Sequence, residues 1–286
     1  MSLEKYIEAG RILKQVKEEA TKLIKPGVKL LEVAEFVENR IRELGAEPAF
    51  PCNISINSDA AHFTPKANDE RAFKEGDVVK LDIGAHIDGY IADTAITVDL
   101  GDHEDLVRAA EEALKNAIEV IHAGVNTAEI SEVIYNTIVE FGFKPIINLT
   151  GHGLDQYLAH APPTIYNVKI EKGVELKEGT VIAIEPFVTN GIGKVAERRE
   201  CEIFSLIAVK PVRMRQARLL MDEILKRYKT LPFAKRWLKA SDVILAKLVR
   251  EGVLRAYPVL TEVGKGLVSQ AEHTVIVEEN GARVIT

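Results

Sequence analysis

The chain has 286 residues, of which 47% are hydrophobic and 28% are charged, and its formal net charge is −6 at pH 7. These values are typical of a globular protein and exclude a disordered or fibrous chain. No apolar run approaches the length that a membrane span needs, so we expect no such span. The acidic balance argues against a general nucleic-acid binder. Two cysteines, Cys52 and Cys201, are too few for a disulfide framework, so we expect a cytoplasmic protein.

The chain contains a diverged internal repeat. Residues 24–48 match residues 121–145 at an offset of 97, and residues 73–82 match 176–185 at an offset of 103. The second match is a Lys-Glu-Gly turn that leads into a β-rich strand ending in a carboxylate in both halves. Two matches in the same order indicate duplication. We predict two related αβ halves whose equivalent acids meet near a pseudo-twofold axis, which is a plausible place for a metal.

A two-residue turn predicts the relative positions of two aspartates. Asp88-Gly89 is a strong hairpin signal, and in that register Asp82 opposes Ala95 while Asp93 opposes Gly84. Both aspartates then lie on one face of the hairpin. A three-residue loop would separate them, and aspartates in strands ordinarily face water. Because both lie among apolar residues, where unpaired carboxylates repel each other, the hairpin predicts a bound cation.

Two histidines occupy equivalent places in the repeat. The spacing from Pro48 to His62 is nearly the same as the spacing from Pro145 to His160. A single histidine is more often a surface or core residue, but the equivalence favours a function for this pair. His152 lies in a Gly-His-Gly run, which predicts an open approach to its imidazole. The other four histidines are predicted to be structural.

These residues resemble the five metal ligands of the pita-bread metallopeptidases, family M24. The matching positions are Asp82, Asp93, His152, Glu185 and Glu272. The chain is more narrowly similar to the archaeal form of the type 2 methionine aminopeptidases, through residues 48–51, 60–65 and 230–233. The resemblance implies an α+β pita-bread fold, with two pseudo-symmetric αβ halves around a curved antiparallel sheet and a helical insertion. Spacing alone assigns no role to Glu272, which lies in a β-rich run.

The resemblance also implies roles for the ligands. Asp93 and Glu272 would each bridge two divalent metals, Asp82 would bind one of the metals, and His152 with Glu185 would bind the other. The metals would be Co, Mn, Fe or Zn, because carboxylate-rich sites suit several divalent ions. A hydroxide shared by the two metals would attack the peptide carbonyl, and Glu185 would take up the water proton.

The remaining implied residues concern the substrate. His62 and His160 would contact the substrate and the developing tetrahedral centre, and Phe50, Pro51 and Tyr257 would line the methionine pocket. The predicted reaction removes the N-terminal methionine from nascent polypeptides, with a small second residue preferred. Ala159 and Ala271 are smaller than the residues expected beside His160 and Glu272, which bears on the shape of the pocket.

One segment differs from the rest in charge. Residues 210–255 contain 13 basic and four acidic residues, a net charge of +9, which leaves −15 for the remainder. We predict an inserted basic, winged-helix-like subdomain at 210–255 within one pita-bread catalytic domain at 1–286. A solvated basic helical surface is the simpler explanation of this charge, and a contact with RNA or the ribosome is the alternative. A monomer without membrane contact is predicted.

Two alternative functions use the same sequence features. An X-Pro dipeptidase or X-Pro aminopeptidase shares the five-ligand pattern but usually carries an additional N-terminal domain, for which a first repeat helix starting near residue 4 leaves no room. A catalytically inactive pita-bread protein that binds RNA or proteins would typically have lost metal ligands. All five ligand positions and both histidines are present here, which favours the aminopeptidase.

Overall fold

A computed structural model describes residues 2–286, and its elements follow the repeat. The helices are Ser2–Thr21 (α1), Leu30–Glu43 (α2), Glu104–Glu119 (α3), Thr127–Glu140 (α4), Arg215–Arg227 (α5) and Asp242–Arg250 (α6). The strands are Glu47–Pro48 (β1), Asn53–Ile56 (β2), Asp59–Ala61 (β3), Val78–Ile87 (β4), Tyr90–Asp99 (β5), Lys144–Pro145 (β6), Thr150–Asp155 (β7), Leu158–Tyr166 (β8), Val181–Ile184 (β9), Phe187–Thr189 (β10), Val195–Glu197 (β11), Ile203–Leu206 (β12), Phe233–Ala234 (β13), Leu254–Tyr257 (β14), Leu260–Glu262 (β15), Val268–Gln270 (β16), Glu272–Glu278 (β17) and Gly281–Val284 (β18). A one-turn 3-10 helix covers Lys235–Trp237.

Equivalent glycines confirm the predicted repeat. Gly27 has φ +90° and Gly124 has φ +91°, a left-handed conformation that favours glycine. The Gly27 amide donates to the Phe73 carbonyl at 2.8 Å, and the Gly124 amide donates to the Leu176 carbonyl at 2.7 Å. In each half, the turn between the two helices is therefore tied by the same backbone hydrogen bond to the segment that precedes β4 or β9.

The two halves meet in one antiparallel sheet. Its strand order is β1-β4-β5-β17-β9-β7-β8, with β2 added on β4 and β18 on β17. The halves join where β5 pairs with β17, with Ala95 opposite Glu272 and Thr94 opposite His273. This junction places the pseudo-twofold axis beside Glu272.

The faces of the sheet have different surroundings. Leu81 and Ile83 on β4 belong to the core that contains residues of α1 and α2, and a second core contains residues of α3 and α4. Asp82, between those two residues, lines a cavity on the opposite face. Strand alternation therefore separates the helix-covered face from the cavity face.

The hairpin has the predicted register. Asp82 pairs with Ala95 and Gly84 pairs with Asp93. The turn residues have positive φ, 51° at Asp88 and 87° at Gly89, as a two-residue turn of this kind requires. The positions of Asp82 and Asp93 thus follow from local turn chemistry.

The segment after β11 forms a small unit with its own apolar core. Strand β12 lies between β13 and β14 in a three-stranded sheet, and residues of α5 and α6 pack against it. This sheet includes Ile203–Leu206 and reaches Tyr257, on either side of the predicted 210–255 range. Among residues 2–286, no helix combines the length and apolar character that crossing a bilayer requires.

Candidate metal centre

The five predicted ligands converge at the centre of the cavity face. Asp82 and Asp93 lie on β4 and β5, His152 on β7, Glu185 directly after β9, and Glu272 at the start of β17. Asp93, His152 and Glu272 form one triad, and Asp82, Glu185 and Glu272 form another, with ligand atoms within 4.8 Å of one another in each. The fold thus brings together five residues that are separated by up to 190 positions in the sequence.

The triads bear on how the ligands divide between two ions. Glu272 belongs to both triads, as a bridging ligand would. Glu185 groups with Asp82, although the family resemblance implied a partnership with His152. The assignment of each ligand to one metal therefore stays a prediction.

The four carboxylates are buried with little compensation. Burial raises the pKa of Asp82 to about 7. Burial, and then the neighbouring carboxylates, raise the pKa values of Asp93, Glu185 and Glu272 well above their usual range. Asp82 Oδ1, Asp93 Oδ1 and both Glu272 carboxylate oxygens have no hydrogen-bond partner within residues 2–286. A cluster of unpartnered anionic oxygens fits hard divalent cations.

His152 has the geometry of a neutral metal ligand. Its Nδ1 lies 3.1 Å from the Gly153 carbonyl oxygen, so Nδ1 carries the proton. Its Nε2 lies 3.9 Å from Asp93 Oδ2, with its lone pair available to a cation. Burial and then the adjacent His160 lower the pKa of His152 to about 3. The imidazole is therefore uncharged at neutral pH.

The glycines around His152 serve strand packing. A Cβ at Gly151 would overlap the Ala183 carbonyl oxygen, and a Cβ at Gly153 would overlap the Pro162 carbonyl oxygen. The expected open approach through these glycines is therefore wrong, because neighbouring backbone fills that space. Access to the His152 imidazole is from the cavity, which it lines.

Gln270 is a site residue that the sequence analysis missed. Its Nε2 donates to Glu185 Oε1 at 2.8 Å and lies 3.3 Å from Asp82 Oδ2. It is buried and precedes Glu272 by two residues. Period-two spacing from Glu272 is the signal that would have pointed to it.

Both predicted substrate histidines line the cavity, whose volume is about 310 Å³. His62 follows β3 with φ +64°, and its ring meets the Tyr257 ring edge-on with centroids 5.5 Å apart. The His160 ring lies 4.6 Å from the His152 ring. Burial and then His160 lower the pKa of His62 to about 4. Desolvation by the protein atoms around its ring, and then the Arg255 charge, lower the pKa of His160, although this residue is partly open to solvent. Both imidazoles are therefore neutral at pH 7.

The rest of the cavity wall is largely apolar. Phe50 and Tyr257 line it, together with Ala61, Leu149, Ala159, Phe187, Ile203, Pro232 and Leu260. Pro51 is buried next to Phe50 and is not one of the lining residues. A Cβ at Gly84 would overlap the Phe50 ring, so the missing side chain makes room for that ring. Residues of β3, β12, β14 and β15 thus form part of the cavity wall above the metal-ligand floor.

Comparisons with known proteins agree with this geometry. The family model described as metallopeptidase family M24 matches residues 4–279. A methionine aminopeptidase of Archaeoglobus fulgidus is 70% identical over 284 residues, which cover 99% of this chain and 98% of that protein. A methionine aminopeptidase of Methanocaldococcus jannaschii is 52% identical over 287 residues, covering 99% and 98% respectively.

A solved structure is also similar along the full length. The crystal structure of a methionine aminopeptidase from Thermotoga maritima has a TM-score of 0.76 and 26% identity, and the match covers 100% of this chain and 96% of that one. The predicted pita-bread fold is confirmed. The chain belongs to metallopeptidase family M24 and, within that family, to the group of the methionine aminopeptidases.

Proposed function

We propose that this M24 metallopeptidase removes the N-terminal methionine from polypeptides whose second residue is small, with two divalent metals. One observation carries the proposal. Four clustered carboxylates, three of which have oxygens without a hydrogen-bond partner, and one neutral histidine share the floor of a cavity whose wall holds His62 and His160. Bound at Asp82, Asp93, His152, Glu185 and Glu272, the metals would activate the attacking water and polarise the scissile carbonyl.

The two cavity histidines are suited to hydrogen bonding with the substrate. A neutral imidazole offers one N–H donor and one acceptor nitrogen. Because the pKa values of His62 and His160 are lowered, both imidazoles stay neutral at pH 7, and each keeps one donor and one acceptor nitrogen. We assign to them hydrogen bonds to the scissile carbonyl and the scissile amide. In the transition state negative charge develops on the carbonyl oxygen, and the amide nitrogen needs a proton.

Glu185 is suited to carrying a proton. It lies at the edge of the ligand cluster, and the Gln270 side-chain amide fixes one of its oxygens at 2.8 Å. A carboxylate held in this way can accept a proton from the attacking water and deliver it to the leaving amine. Because Gln270 donates to Oε1, it orients Glu185 and leaves Oε2 to take up the proton.

The apolar wall is suited to a methionine side chain. Phe50 and Tyr257 offer aromatic surface, and Ala159 and Leu260 add aliphatic surface to the same cavity wall. A flexible thioether fills irregular apolar space and makes favourable contacts with aromatic rings. Crowding of the floor by the ligand cluster would leave little room for the next residue, which favours Gly, Ala or Ser as the second residue.

Methionine release from Met-Ala-Ser tests the proposal. Metal-stripped protein is compared with protein given Mn, Fe, Co or Zn, using Met-Leu-Ser and Ala-Pro as further substrates. We expect metal-dependent release from Met-Ala-Ser, with at least about tenfold lower kcat/KM for Met-Leu-Ser. Cleavage of Ala-Pro alone would assign the chain to an X-Pro peptidase. The absence of turnover with every metal would favour a binding protein.

Variants of the histidines test the assigned roles. His62→Ala and His160→Ala should each lower kcat/KM about 100-fold or more, since each removes a hydrogen bond made to the reacting groups. His122→Ala is the matched control, because His122 is exposed outside the cavity and its Nδ1 lies beside the Ala123 carbonyl. Wild-type kcat/KM in both His62→Ala and His160→Ala would refute the mechanism.

The predicted ribosome contact depends on the basic segment 210–255. Its helix α5 exposes Arg215, Lys226 and Arg227. If this surface binds ribosomes, pelleting with ribosomes should be strong at about 50 mM salt and decline steeply toward about 200 mM. Pelleting no greater than that of a neutral control protein would refute the contact.

A further inference from the structure

An arginine stands at the mouth of the cavity. Arg255 on β14 lines the cavity and is exposed, and Tyr257, two residues later on the same strand face, is half-buried. Asp93 on the cavity floor is 5% exposed. Exposure therefore increases from the metal-ligand floor toward Arg255, which marks the rim.

Short contacts connect this rim to the reacting centre. The Arg255 guanidinium carbon lies 5.0 Å from the centroid of the Tyr257 ring. The His62 ring contacts the same tyrosine, with centroids 5.5 Å apart. One aromatic ring thus separates the guanidinium from a histidine that we assign to the scissile peptide.

Arg255 has a charge without a partner in the protein. Within residues 2–286 no carboxylate lies within 4.0 Å of its guanidinium, whereas Arg227 on the same inserted unit has Glu223 at 2.8 Å. Opposite Arg255 on β12 lies Ser205, whose hydroxyl bonds to the Tyr257 hydroxyl at 3.1 Å. All five guanidinium N–H donors therefore remain free to bind a ligand in the cleft.

The substrate must pass this rim. An aminopeptidase holds the first residue in its pocket, so the rest of the peptide leaves through the open side of the cavity. An extended chain advances about 3.3 Å per residue, and the second residue lies beside the metal-ligand floor. The third and fourth residues are therefore the ones that reach the rim.

We propose that Arg255 forms a subsite for a carboxylate on the third or fourth residue of the substrate, so that the enzyme favours N-termini with Asp or Glu there. The inference rests on the proposed function and extends it to substrate selection. Arginine is suited to this role, because its planar fork can bind a carboxylate through two parallel hydrogen bonds. The net charge of +9 in residues 210–255 adds a positive electrostatic potential, which also attracts a carboxylate.

Peptide amides with a varied third residue test the subsite. The substrates are Met-Ala-Glu-Gly, Met-Ala-Gln-Gly and Met-Ala-Lys-Gly, and a second set moves the variable residue to position four. All have amidated C-termini, so the side chain supplies the only carboxylate. With the metal-loaded full-length protein at low salt, we expect kcat/KM for Glu to exceed that for Lys about fivefold to tenfold in at least one set.

Charge variants identify Arg255 as the source of the preference. The Glu-to-Lys ratio should approach one in Arg255→Gln, invert in Arg255→Glu and be largely retained in Arg255→Lys. Arg213→Gln removes the same charge from an exposed position on the same unit that does not line the cavity, and it should keep the wild-type ratio. The Glu-to-Lys ratio of kcat/KM is measured within each variant. A change in catalysis through the nearby histidines would therefore affect both substrates equally and cancel in the ratio.

Three outcomes are distinguishable. Equal ratios in the wild type and Arg255→Gln, with normal turnover of the Gln peptides, would overturn the subsite and leave the proposed function intact. If no metal supports turnover of the Gln peptides, the proposed function fails, and the subsite fails with it. A ratio that collapses equally in Arg213→Gln would assign the preference to the overall charge of the unit and overturn the role of Arg255.

Discussion

The hydroxyl of Thr274 takes the place of a strand partner for Asp93. It accepts a hydrogen bond from the Asp93 amide at 2.8 Å and donates one to the Asp93 carbonyl at 2.7 Å. Across the pseudo-twofold axis, the Thr97 hydroxyl makes the same two bonds with the backbone of Gln270, at 2.8 and 2.7 Å. Two threonines thus fasten the halves together on either side of Glu272.

Replacing Thr274 by valine keeps the shape and removes both bonds. The Asp93 amide and carbonyl would then be buried without partners, which we expect to reduce the free energy of unfolding by about 2–4 kcal/mol. Because Asp93 is a predicted ligand, the affinity for Mn or Co should fall as well. Denaturant unfolding and calorimetric metal titration measure the two effects.

Thr274→Ser is the control, since it keeps the hydroxyl. It should lose about 1 kcal/mol or less, from the missing methyl group, and keep the metal affinity. If Thr274→Val and Thr274→Ser unfold at the same denaturant concentration, the two hydrogen bonds do not stabilise the junction.

The sequence predicts those parts of the site that depend on local signals. The Asp88-Gly89 turn sets the register of Asp82 and Asp93, because a two-residue turn allows only one pairing. The fold could also be predicted, because the repeat predicts two halves with similar elements and the family resemblance specifies how the halves are arranged. The turn and each repeat match can be read from a short stretch of sequence.

Contacts between distant segments could not be predicted in this way. Thr274 and Asp93 are 181 residues apart, and Glu38 and Arg236 are 198 apart. No periodicity connects such pairs, because each depends on how complete elements pack. The glycines beside His152 were misjudged for the same reason, since the backbone that fills their space comes from other strands.

Glu38 and Arg236 form a buried ion pair between helix α2 and the small unit built around β12. Both side chains are 5% exposed. Glu38 also accepts hydrogen bonds from the Trp237 indole at 2.7 Å and the Cys52 amide at 3.1 Å. Arg236→Met should reduce the free energy of unfolding by about 3–5 kcal/mol, because it leaves a buried carboxylate without its cation. Urea denaturation measures the loss.

A second substitution separates the ion pair from general packing. Adding Glu38→Gln to Arg236→Met neutralises the orphaned carboxylate and should restore about half of the lost stability. Arg11→Met breaks an exposed pair with Glu8, 2.7 Å apart, and should change stability by less than about 1 kcal/mol. A double variant no more stable than Arg236→Met would show that the charge of Glu38 is not the cause.

Metal affinity should rise with pH. Burial raises the pKa of Asp82 to about 7 and those of its neighbours further, so the metal-free site holds protons that cations must displace. As pH falls through these raised pKa values, protons compete with the metal. A single group of pKa 7 already predicts about tenfold tighter binding at pH 8 than at pH 6.

Calorimetric titration with Mn in two buffers of different ionisation enthalpy counts the released protons. We expect at least one proton per bound metal at pH 6 and fewer at pH 8. His152 contributes none, because its pKa of about 3 leaves it unprotonated throughout. An affinity that does not change between pH 6 and 8, with no proton release, would contradict the raised pKa values.

Gly84 controls the space available to the pocket wall. It lies on β4 opposite Asp93, and a Cβ there would overlap the ring of Phe50. Gly84→Ala should push the ring toward the methionine pocket, raise KM for Met-Ala-Ser severalfold and reduce the free energy of unfolding by about 1–3 kcal/mol. Because the metal ligands do not move, kcat should change less than KM.

Gly281→Ala is the matched control, since a Cβ there meets no heavy atom within 4 Å. It should leave both KM and stability close to the wild-type values. Phe50→Leu added to Gly84→Ala removes the ring that the new methyl group strikes, and should recover stability while KM stays high. Recovery of KM in the double variant would mean that Phe50 obstructs the pocket without binding methionine, which would remove it from the substrate site.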